Sequence, residues 1–432
     1  MDWAKLLMAD RFGEPSIARE QGGRHPFHKD FDRLVFCPAF RRLGRKAQVH
    51  PLAGNDHVHT RLTHSMEVSC VGRSLGMRVG HHLSEHIPLS PEELGIIVQA
   101  ACLAHDIGNP PFGHAGEYAI NDWFQDNAEC LQTLNANEQR DLSVFDGNAQ
   151  GFRIVTRIEV HQFDGGLRLT YPTLGTMIKY PWASTSPYAE KGKFSSFISE
   201  VETLKSVMET LCIPEIEPGL WARHPLSFLL EAADDICYAV MDLEDAVELG
   251  ILSREKVQGV LEPLIAHQLA VRPGFDAYPD RRALSLVRGW VVDAGIDHVV
   301  DCFMQNYSAI MDGTLRTSLL DLSDDPIALV FQKAKQMARD EIFPTRRKLE
   351  LEIGAYNALS LLLQVYCDAV DRMCVQGQPL SFRARRVLTL MGENAPDEHW
   401  SAYQAYRRVL DYIGGMTDNF AVYLADKIRT HS

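Results

Sequence analysis

The sequence predicts a mainly α-helical protein with at most a short β-hairpin. Apolar residues recur at helical spacing along most of the 432 residues, and capping residues flank the strongest of these segments. An apolar content of 46% is sufficient for a large core. We therefore expect one helical core over residues 1–250 and an additional helical C-terminal lobe over residues 251–432.

The segment over residues 90–111 predicts a core helix that ends at a His-Asp pair. Ser90 is a typical N-cap residue, and Glu93 completes a capping box three residues later. Apolar residues follow at helical spacing, and a glycine and two prolines come directly after the pair. We expect His105 and Asp106 in the last turn of this helix.

A second helix is predicted from about residue 226 to residue 249, and it carries an acidic stripe. The spacing places Asp234, Tyr238, Asp242 and Asp245 on one face, closely flanked by apolar residues. Such a stripe is usually a solvated surface. Burial becomes favourable only if a cation offsets the desolvation of the carboxylates.

Together with an upstream histidine, these helices supply the donor atoms of a metal site. His64 lies in the string HTRLTHSMEVS, so the chain presents His, then His-Asp, then Asp. Two neutral imidazoles and two carboxylates suit Mn, Fe, Mg or Co. The sequence therefore predicts a metal-dependent hydrolase.

Composition narrows the class of protein further. The net charge of −14 disfavours nonspecific binding to nucleic acid, although RRLGRK at 41–46 and FRARR at 382–386 are locally basic. Nine cysteines without a CxxC pair argue against disulfides or a zinc knuckle. We expect no segment that spans a membrane, and a cytoplasmic location.

Two shorter segments carry weaker signals. The string LRLTYPTLG, residues 167–175, alternates and contains β-branched residues, which favours a short strand or hairpin. Residues 183–193, ASTSPYAEKGK, are poor in apolar residues and predict a mobile loop that closes over a ligand.

Six strings occur in one order along the chain: AFRRLGRKAQV, NDHVHTRLTHSMEVS, HDIGNPPFGHAGE, GNAQGFRI, LTYPTLGTMIKYPW and EAADDICYAVMDLEDA. Together they resemble a known family, the HD-domain deoxynucleoside triphosphate triphosphohydrolases, also described as deoxyguanosine triphosphatase-like proteins. The resemblance covers about residues 24–250 and, more thinly, the remainder. It implies a helical HD-domain core and metal-dependent hydrolysis of deoxynucleoside triphosphates, dGTP among them, to deoxynucleoside and inorganic triphosphate by attack of water at the α-phosphorus.

The resemblance assigns metal ligation to His64, His105, Asp106 and Asp234, with Asp235 as the rival for the last position. It implies one divalent ion. Mn or Mg is expected first, with Co, Fe, Ni and Zn as alternatives, because this donor set suits several divalent ions.

The resemblance also assigns a catalytic base or acid, the histidine eight residues beyond Asp106. In this sequence that position is His114, in the string PPFGHAGE. Glu117 follows three residues later, close enough on a helical turn to orient the imidazole. Both residues are therefore candidates for the catalytic pair.

Substrate contacts are expected from six residues. Arg61 precedes His64 by three residues, so on a helix it would point at the same pocket and bind phosphate. By resemblance, Lys179 and Tyr180 contact the phosphate tail, and Gln48 lies near the sugar. Tyr238 and Asp242, one and two turns beyond Asp234, would contact the sugar and its 3′-hydroxyl by the same resemblance.

Other candidates and partners depend on weaker evidence. Glu352 and Tyr356 are four residues apart and are candidates for the base pocket, which the C-terminal lobe would complete. At most one or two of the basic residues at 41–46 are expected to bind substrate. By resemblance, the partners are an activating nucleotide, single-stranded DNA and further copies of the chain in a hexamer or tetramer; no membrane is expected.

Two alternative functions stay open at this point. The chain could be a nucleotide-sensing or single-stranded-DNA-binding HD protein with little turnover, or an HD phosphohydrolase that acts on another nucleotide. The presence of all four ligand positions and of His114 disfavours the first, and Arg61, Lys179 and Tyr180 disfavour a monophosphate substrate. Base preference and the native metal cannot be derived from the residues.

Overall fold

A computed structural model describes residues 1–14, 25–49, 55, 57–159, 166–322 and 325–429. Within these residues the chain forms nineteen α-helices and a single two-stranded sheet. The prediction of a mainly α-helical fold is confirmed.

The helices α1 to α19 are, in chain order, Trp3–Leu6, Pro26–Phe36, Pro38–Arg42, Arg61–His82, Pro91–Ala104, His114–Asp126, Ala136–Leu142, Gly147–Arg153, Tyr171–Met177, Val201–Thr210, Pro225–Glu248, Arg254–Ala270, Asp280–Gln305, Tyr307–Met311, Pro326–Met337, Arg346–Val370, Phe382–Leu390, Ala402–Gly414 and Asp418–Arg429. Three π-helical turns follow α8, α15 and α16, at Ile154–Ile158, Ala338–Ile342 and Asp371–Val375. Short 3₁₀ turns lie at Leu43–Arg45, Ala128–Leu131, Pro187–Lys191, Ile198–Glu200, Phe275–Ala277, Leu319–Asp321 and Gly392–Asn394.

The β-hairpin does not lie at residues 167–175, where the alternation of residue types had favoured a strand or hairpin. Strand β1, Glu215–Glu217, pairs antiparallel with β2, Leu220–Trp221. The strand expected over residues 167–175 is wrong, because α9 begins at Tyr171 with a proline in its first turn. Buried Asp30 accepts hydrogen bonds from the backbone and hydroxyl of Thr170 and from the hydroxyl of Thr173, which supports this helix start. The loop expected over residues 183–193 contains the 3₁₀ turn Pro187–Lys191.

The capping signals correctly predicted the start of α5 and almost correctly its end. The Ser90 hydroxyl accepts a hydrogen bond from Glu93 N, and the Glu93 carboxylate accepts one from Ser90 N. The helix ends at Ala104, so His105 is its C-cap and Asp106 lies just beyond. The pair therefore follows the last turn instead of lying within it.

Glycines allow α4 and α5 to pack unusually closely in antiparallel orientation. A Cβ added at Gly72 would meet Cys102, at Gly76 it would meet Gly95, and at Gly80 it would meet Pro91. This register places the first turn of α4 beside the last turn of α5. Two residues distant in the chain, His64 and His105, thereby reach the same end of the pair, where α11 packs across both helices.

Apolar packing groups the helices into two clusters. The first apolar cluster joins α1–α5 with α9–α15, the second joins α6 and α7 with α16–α19, and α8 contributes to both. Helices from both sides of residue 250 therefore share the first cluster. The domain division at residue 250 stays a prediction, since no independent folding of either part is known.

Among the described residues, one helical segment, Lys348–Val375, is long and apolar enough to cross a membrane by length and composition alone, and the expectation that no segment spans a membrane stays a prediction. The apolar residues have a different explanation here. Half of the most apolar stretch is buried, and Leu359, Leu362 and Leu363 pack inside the second apolar cluster. A core helix needs the same composition as a membrane helix.

The close approach of α4 and α5 predicts a measurable cost for one methyl group. In Gly76→Ala the new Cβ would lie 2.8 Å from Gly95 Cα, so the helices must separate. We expect the free energy of unfolding to fall by about 1–3 kcal/mol. Urea denaturation followed by circular dichroism measures this change.

A matched control is available in α12. A Cβ added at Gly259 meets no atom within 4 Å, so Gly259→Ala should raise the unfolding free energy by about 0.4–1 kcal/mol. Equal stability changes in the two variants would show that the α4–α5 contact tolerates separation.

Candidate metal centre and adjoining charged groups

Three predicted ligands meet at the junction of α4, α5 and α11. The ligating atoms of His64, His105 and Asp234 all lie within 4.8 Å of one another. Asp234 Oδ1 is 3.1 Å from His64 Nε2 and 3.6 Å from His105 Nε2. Burial alone would raise the pKa of Asp234, but His105 and His64 outweigh this effect and lower it well below its usual value.

The fourth predicted ligand lies beside this cluster and has partners of its own. Asp106 Oδ1 is 3.6 Å from His105 Nε2 and accepts a hydrogen bond from the side chain of Asn109. Its Oδ2 accepts one from Arg61 Nη1 at 2.7 Å. Burial would raise the pKa of Asp106, but Arg61 and the two histidines lower it to about 2.

The geometry distinguishes between the two adjacent aspartates of α11. Asp235 Oδ1 lies 2.8 Å from Lys335 Nζ on α15, in an ion pair that is mostly buried. Asp234, one residue earlier, points at the imidazoles instead. Of the two candidates, only Asp234 belongs to the described cluster of metal-binding groups.

The donor atoms present fit a divalent ion. His105 Nδ1 is engaged with the carbonyl oxygen of Cys102 at 2.6 Å, while His105 Nε2 is buried and has no hydrogen-bond partner among the described residues. A buried nitrogen of this kind normally has a partner. The bond from Nδ1 to a carbonyl is the usual arrangement that directs the other ring nitrogen of a histidine toward a metal.

His114 and Glu117 form the pair that the resemblance predicts. His114 begins α6, its side chain is 71% exposed, and its Nδ1 lies 2.9 Å from Glu117 Oε2. Glu117 is buried and also accepts a hydrogen bond from Gly147 N at 2.8 Å. The imidazole is therefore oriented by a fixed carboxylate while its Nε2 stays accessible.

Arg61 connects this pair to the cluster of ligands. Gly113, which precedes His114, has φ of 59°, and a Cβ there would lie 2.3 Å from Arg61 Nη2. A side chain at this position would displace the guanidinium from Asp106. The glycine is therefore required both by its backbone conformation and by the space that Arg61 occupies.

One residue of this region was missed by the sequence analysis. Lys193 Nζ lies 3.8 Å from Glu117 Oε2 and 4.0 Å from Asp146 Oδ2. It comes from the segment 183–193, in which no pattern marked an individual residue. The lysine adds a positive charge beside His114, and together with the His114 hydrogen bond it outweighs burial and lowers the pKa of Glu117.

The predicted phosphate contact Lys179 lies beside Glu231 on α11, and Tyr180 lies beside Lys179. Lys179 Nζ is 3.3 Å from Glu231 Oε1 on α11, and Arg223 Nη1 is 2.7 Å from Glu231 Oε2. Burial would lower the pKa of Lys179, but Glu231 and the nearby Asp234 raise it, so the amine stays charged. The aromatic ring of Tyr180 lies 5.7 Å from the lysine nitrogen.

The acidic stripe of α11 continues into a buried pocket of carboxylates. Asp242 is 2% exposed, and its Oδ2 has no hydrogen-bond partner among the described residues. Burial and the neighbouring Asp245 raise the pKa of Asp242 to about 8, with Lys348 opposing the shift. Tyr238, one turn earlier, packs edge-on to Phe343 at 6.3 Å.

Three candidate residues remain: Gln48, Glu352 and Tyr356. Gln48 is half-buried, and its Oε1 has no partner among the described residues. Tyr356 donates a hydrogen bond to Asp122 at 3.0 Å, and Glu352 lies 3.9 Å from Lys348. Neither contact identifies a base pocket, so the roles of Glu352 and Tyr356 stay predictions.

The loop between α5 and α6, residues 105–113, is held by residues more than 300 positions later in the chain. Asp418 accepts hydrogen bonds from Phe112 N and Ala47 N, both at 2.9 Å. Buried Lys46 donates to the carbonyl oxygens of Asn109 and Gly414, at 2.5 Å and 2.8 Å. Burial lowers the pKa of Lys46 to about 7. Of the basic run at 41–46, this residue is therefore structural.

Comparison with known proteins adds independent information. An HD domain model matches residues 61–143, which include every predicted ligand and catalytic residue except Asp234. Relatives named deoxyguanosinetriphosphate triphosphohydrolase-like protein are 46% identical in Pseudomonas aeruginosa, over 100% of this chain and 99% of theirs, and 37% identical in Synechocystis sp., over 99% of both. A protein from Cronobacter sakazakii named deoxyguanosinetriphosphate triphosphohydrolase is 30% identical, over 91% of this chain and 92% of its own.

One histidine beside the acidic stripe predicts a pH dependence of stability. His59 Nδ1 lies 2.7 Å from Asp245 Oδ1, and its Nε2 lies 3.2 Å from Glu67 Oε2. Burial would lower the pKa of His59, but the hydrogen bonds to Asp245 and Glu67 outweigh it and raise the pKa from 6.5 to about 10. The protonated ring thus stabilises the fold below pH 6.5, and this contribution is lost as the pH rises through 10.

Between pH 6.5 and pH 10 we expect the unfolding free energy of wild type to fall relative to that of His59→Gln, by at most about 1.4 kcal/mol per pH unit. Chemical denaturation of both proteins at several pH values measures the difference. Substitution of the exposed His86 by glutamine should leave the wild-type profile unchanged. Parallel profiles for wild type and His59→Gln would contradict the prediction.

Proposed function

Because the chain belongs to the family of deoxyguanosinetriphosphate triphosphohydrolase-like proteins, we propose that it is a metal-dependent hydrolase that converts deoxynucleoside triphosphates to deoxynucleoside and inorganic triphosphate. The observation that carries the proposal is the meeting of His64, His105 and Asp234 beside the oriented pair His114 and Glu117. Metal-binding atoms and a proton carrier are the two requirements of this hydrolysis.

In this proposal His64, His105, Asp106 and Asp234 hold one divalent ion, with Mn or Mg as the expected metals. When bound, such an ion supplies Lewis acidity toward the α-phosphate and favours ionisation of a water molecule. The carboxylate of Asp106 would bind the ion while it also accepts hydrogen bonds from Arg61 and Asn109. A carboxylate with one face held in this way is a well-oriented ligand.

His114 would move the proton of the reaction. Glu117 engages Nδ1, so Nε2 is the atom that exchanges a proton with the attacking water or with the leaving 5′-oxygen. Glu117, itself held by the backbone of Gly147, would keep the imidazole oriented during this transfer. Lys193 moderates the charge of Glu117, and its amine is available to the phosphate oxygens.

The remaining predicted residues divide between phosphate and sugar. Arg61, Lys179 and Tyr180 would bind the triphosphate, whose charge of about −4 requires several cationic partners. Asp242, with a pKa of about 8, is largely protonated at neutral pH and would hydrogen-bond the 3′-hydroxyl. Tyr238 would pack against the deoxyribose, and Gln48, with its unpartnered Oε1, would contact the sugar as well.

Membership of this family supports three further expectations for this chain. We propose a cytoplasmic location, assembly into a homo-oligomer, and a nucleotide as activator. The alternatives, a sensor with little turnover or a phosphohydrolase of another nucleotide, predict binding without product and a different product, respectively.

Product analysis tests the proposed reaction directly. Purified protein with each of four deoxynucleoside triphosphates, in Mn or in Mg, should release deoxynucleoside and intact inorganic triphosphate, detected by ion-exchange chromatography. His114→Ala should lower kcat by at least about 100-fold, because the proton carrier is lost. The exposed histidine His399 provides the control, and its substitution by alanine should leave kcat unchanged.

Monophosphate or diphosphate products would contradict the proposed reaction. So would the absence of turnover with every substrate and metal, tested both alone and with a second nucleotide added. A His114→Ala variant with full activity would exclude this histidine as the proton carrier.

Metal binding is a separate prediction. Asp234→Asn should weaken binding of Mn²⁺, measured by isothermal titration calorimetry, by about 10-fold or more, because the carboxylate shared by His64 and His105 is lost. Asp235→Asn removes an equal charge from the next residue, whose partner is Lys335, and should bind Mn²⁺ nearly as wild type does. Equal losses in the two variants would refute the assignment of Asp234.

A further inference from the structure

A second basic site lies away from the candidate metal centre. A cavity of about 630 Å³ opens between α8 with its π-helical turn, α18 and the 3₁₀ turn Ile198–Glu200. Its wall contains none of the predicted ligands or catalytic residues. Four of its eleven lining residues are arginines, namely Arg153, Arg157, Arg407 and Arg408.

Two of the arginines form the fixed inner wall. Arg153 donates to both oxygens of Asp411 at 2.8 Å and to Glu200 at 2.5 Å. Arg407 is 1% exposed and donates through Nη2 to Asp141 at 3.2 Å. Its Nε and Nη1 are buried and have no hydrogen-bond partner among the described residues. The guanidinium carbon of Arg407 lies 3.5 Å from the centre of the Phe197 ring, so a cation–π contact holds this side chain in place.

The other two arginines form the outer wall. Arg157 has a side chain that is 55% exposed and lies 3.3 Å from Glu200. Arg408 is half-buried, makes no salt bridge with a described residue, and its guanidinium carbon lies 5.4 Å from the centre of the Trp400 ring. Burial lowers the pKa of Arg408, as do the charges of Arg153 and Arg157, while Asp411 opposes the shift. The guanidinium groups of Arg153, Arg157 and Arg408 are therefore close enough to influence one another.

The carboxylates that balance the inner arginines are withdrawn from the cavity. Asp141, Glu200 and Asp411 are all buried, and none of them belongs to the cavity wall. Glu138, at the rim, is the one acidic residue of that wall, and it caps α7 through Asn135 N. The wall thus carries an excess of positive charge. Neutral hydrogen-bonding groups on Ser199, Ser401 and Gln404 line it as well.

From this arrangement we propose that the cavity binds a polyphosphate anion, either inorganic triphosphate or the phosphate chain of a nucleotide. Guanidinium groups bind phosphate oxygens in bidentate fashion, and the exposed Arg157 and the half-buried Arg408 present such groups to the cavity. A volume of about 630 Å³ accommodates a whole nucleotide. In that case the Trp400 ring, at the cavity wall, is the surface on which a base would stack.

Trp400 provides a signal that is specific for this site. We expect inorganic triphosphate, titrated in EDTA so that no turnover occurs, to change the tryptophan fluorescence of wild type, and Trp400→Phe to abolish the change. The double variant Arg157→Gln/Arg408→Gln should bind triphosphate at least 10-fold more weakly. Arg383→Gln, which removes an exposed arginine from α17, should bind as wild type does.

The arms of the experiment distinguish the two sources of phosphate. Equal affinities for inorganic triphosphate and for a deoxynucleoside triphosphate indicate that the site recognises phosphate alone. Tighter binding of the nucleotide indicates stacking of the base if Trp400→Leu removes the difference in affinity. Either result supports the proposal. Because binding is measured without metal or turnover, it stands or fails independently of the proposed reaction.

The proposal is overturned if wild type shows no Trp400-dependent signal, or if the double variant binds triphosphate as tightly as wild type. It is also overturned if the arginine substitutions weaken binding of a single-stranded oligonucleotide but leave triphosphate binding unchanged. Arg408→Gln alone, at a half-buried position without a salt bridge to a described residue, repeats the test if the double variant does not fold.

Discussion

The architecture around α11 depends on the cost of enclosing several carboxylates within a helical core. Asp234, Asp242 and Asp245 lie on one face of this helix, and Asp106 approaches it from the end of α5. Isolated carboxylates in such a place would be strongly destabilising. The cost is lowered differently for each carboxylate. Asp106 is paired with Arg61, Asp234 lies against two imidazoles, and Asp245 is paired with protonated His59. The pKa of Asp242 is raised, so this group carries less charge at neutral pH.

This compensation explains the positions of the surrounding basic residues. Lys335 neutralises Asp235, and Lys179 and Arg223 neutralise Glu231, so the stretch from 231 to 245 is enclosed by cations from several other elements. His64 and His105 can approach Asp234 only because glycines bring α4 and α5 together. The metal-binding geometry is thus a result of helix packing as much as of the ligands themselves.

Local signals in the sequence were sufficient to predict the helices that carry the candidate ligands. The capping box at Ser90 and the spacing of the α11 stripe depend only on near neighbours, and both predictions agree with the structure. The choice between Asp234 and Asp235 required Lys335, about a hundred residues away. Lys193 was missed for the same reason, since its contact with Glu117 spans unrelated segments. The strand predicted before α9 failed because residue alternation is a weaker constraint than the contacts of Asp30 with Thr170 and Thr173.

The two apolar clusters divide the proposed chemistry between them. The helices that carry His64, His105 and Asp234 belong to the first apolar cluster, whereas α6, which carries His114 and Glu117, packs in the second. The relative position of metal-binding atoms and proton carrier is therefore set where the clusters meet. The hydrogen bonds from Lys46 to Gly414 and from Ala47 to Asp418 cross this boundary.

Those contacts also bear on how the protein matures during synthesis. The ribosome makes His64 and His105 early, but Gly414 and Asp418, which hold the loop before His114, emerge only after some 300 further residues. A nascent chain can therefore pair α4 with α5 long before its loop is locked. For the hydrolysis proposed above, an incomplete chain released by a stalled ribosome would lack the residues that hold this loop.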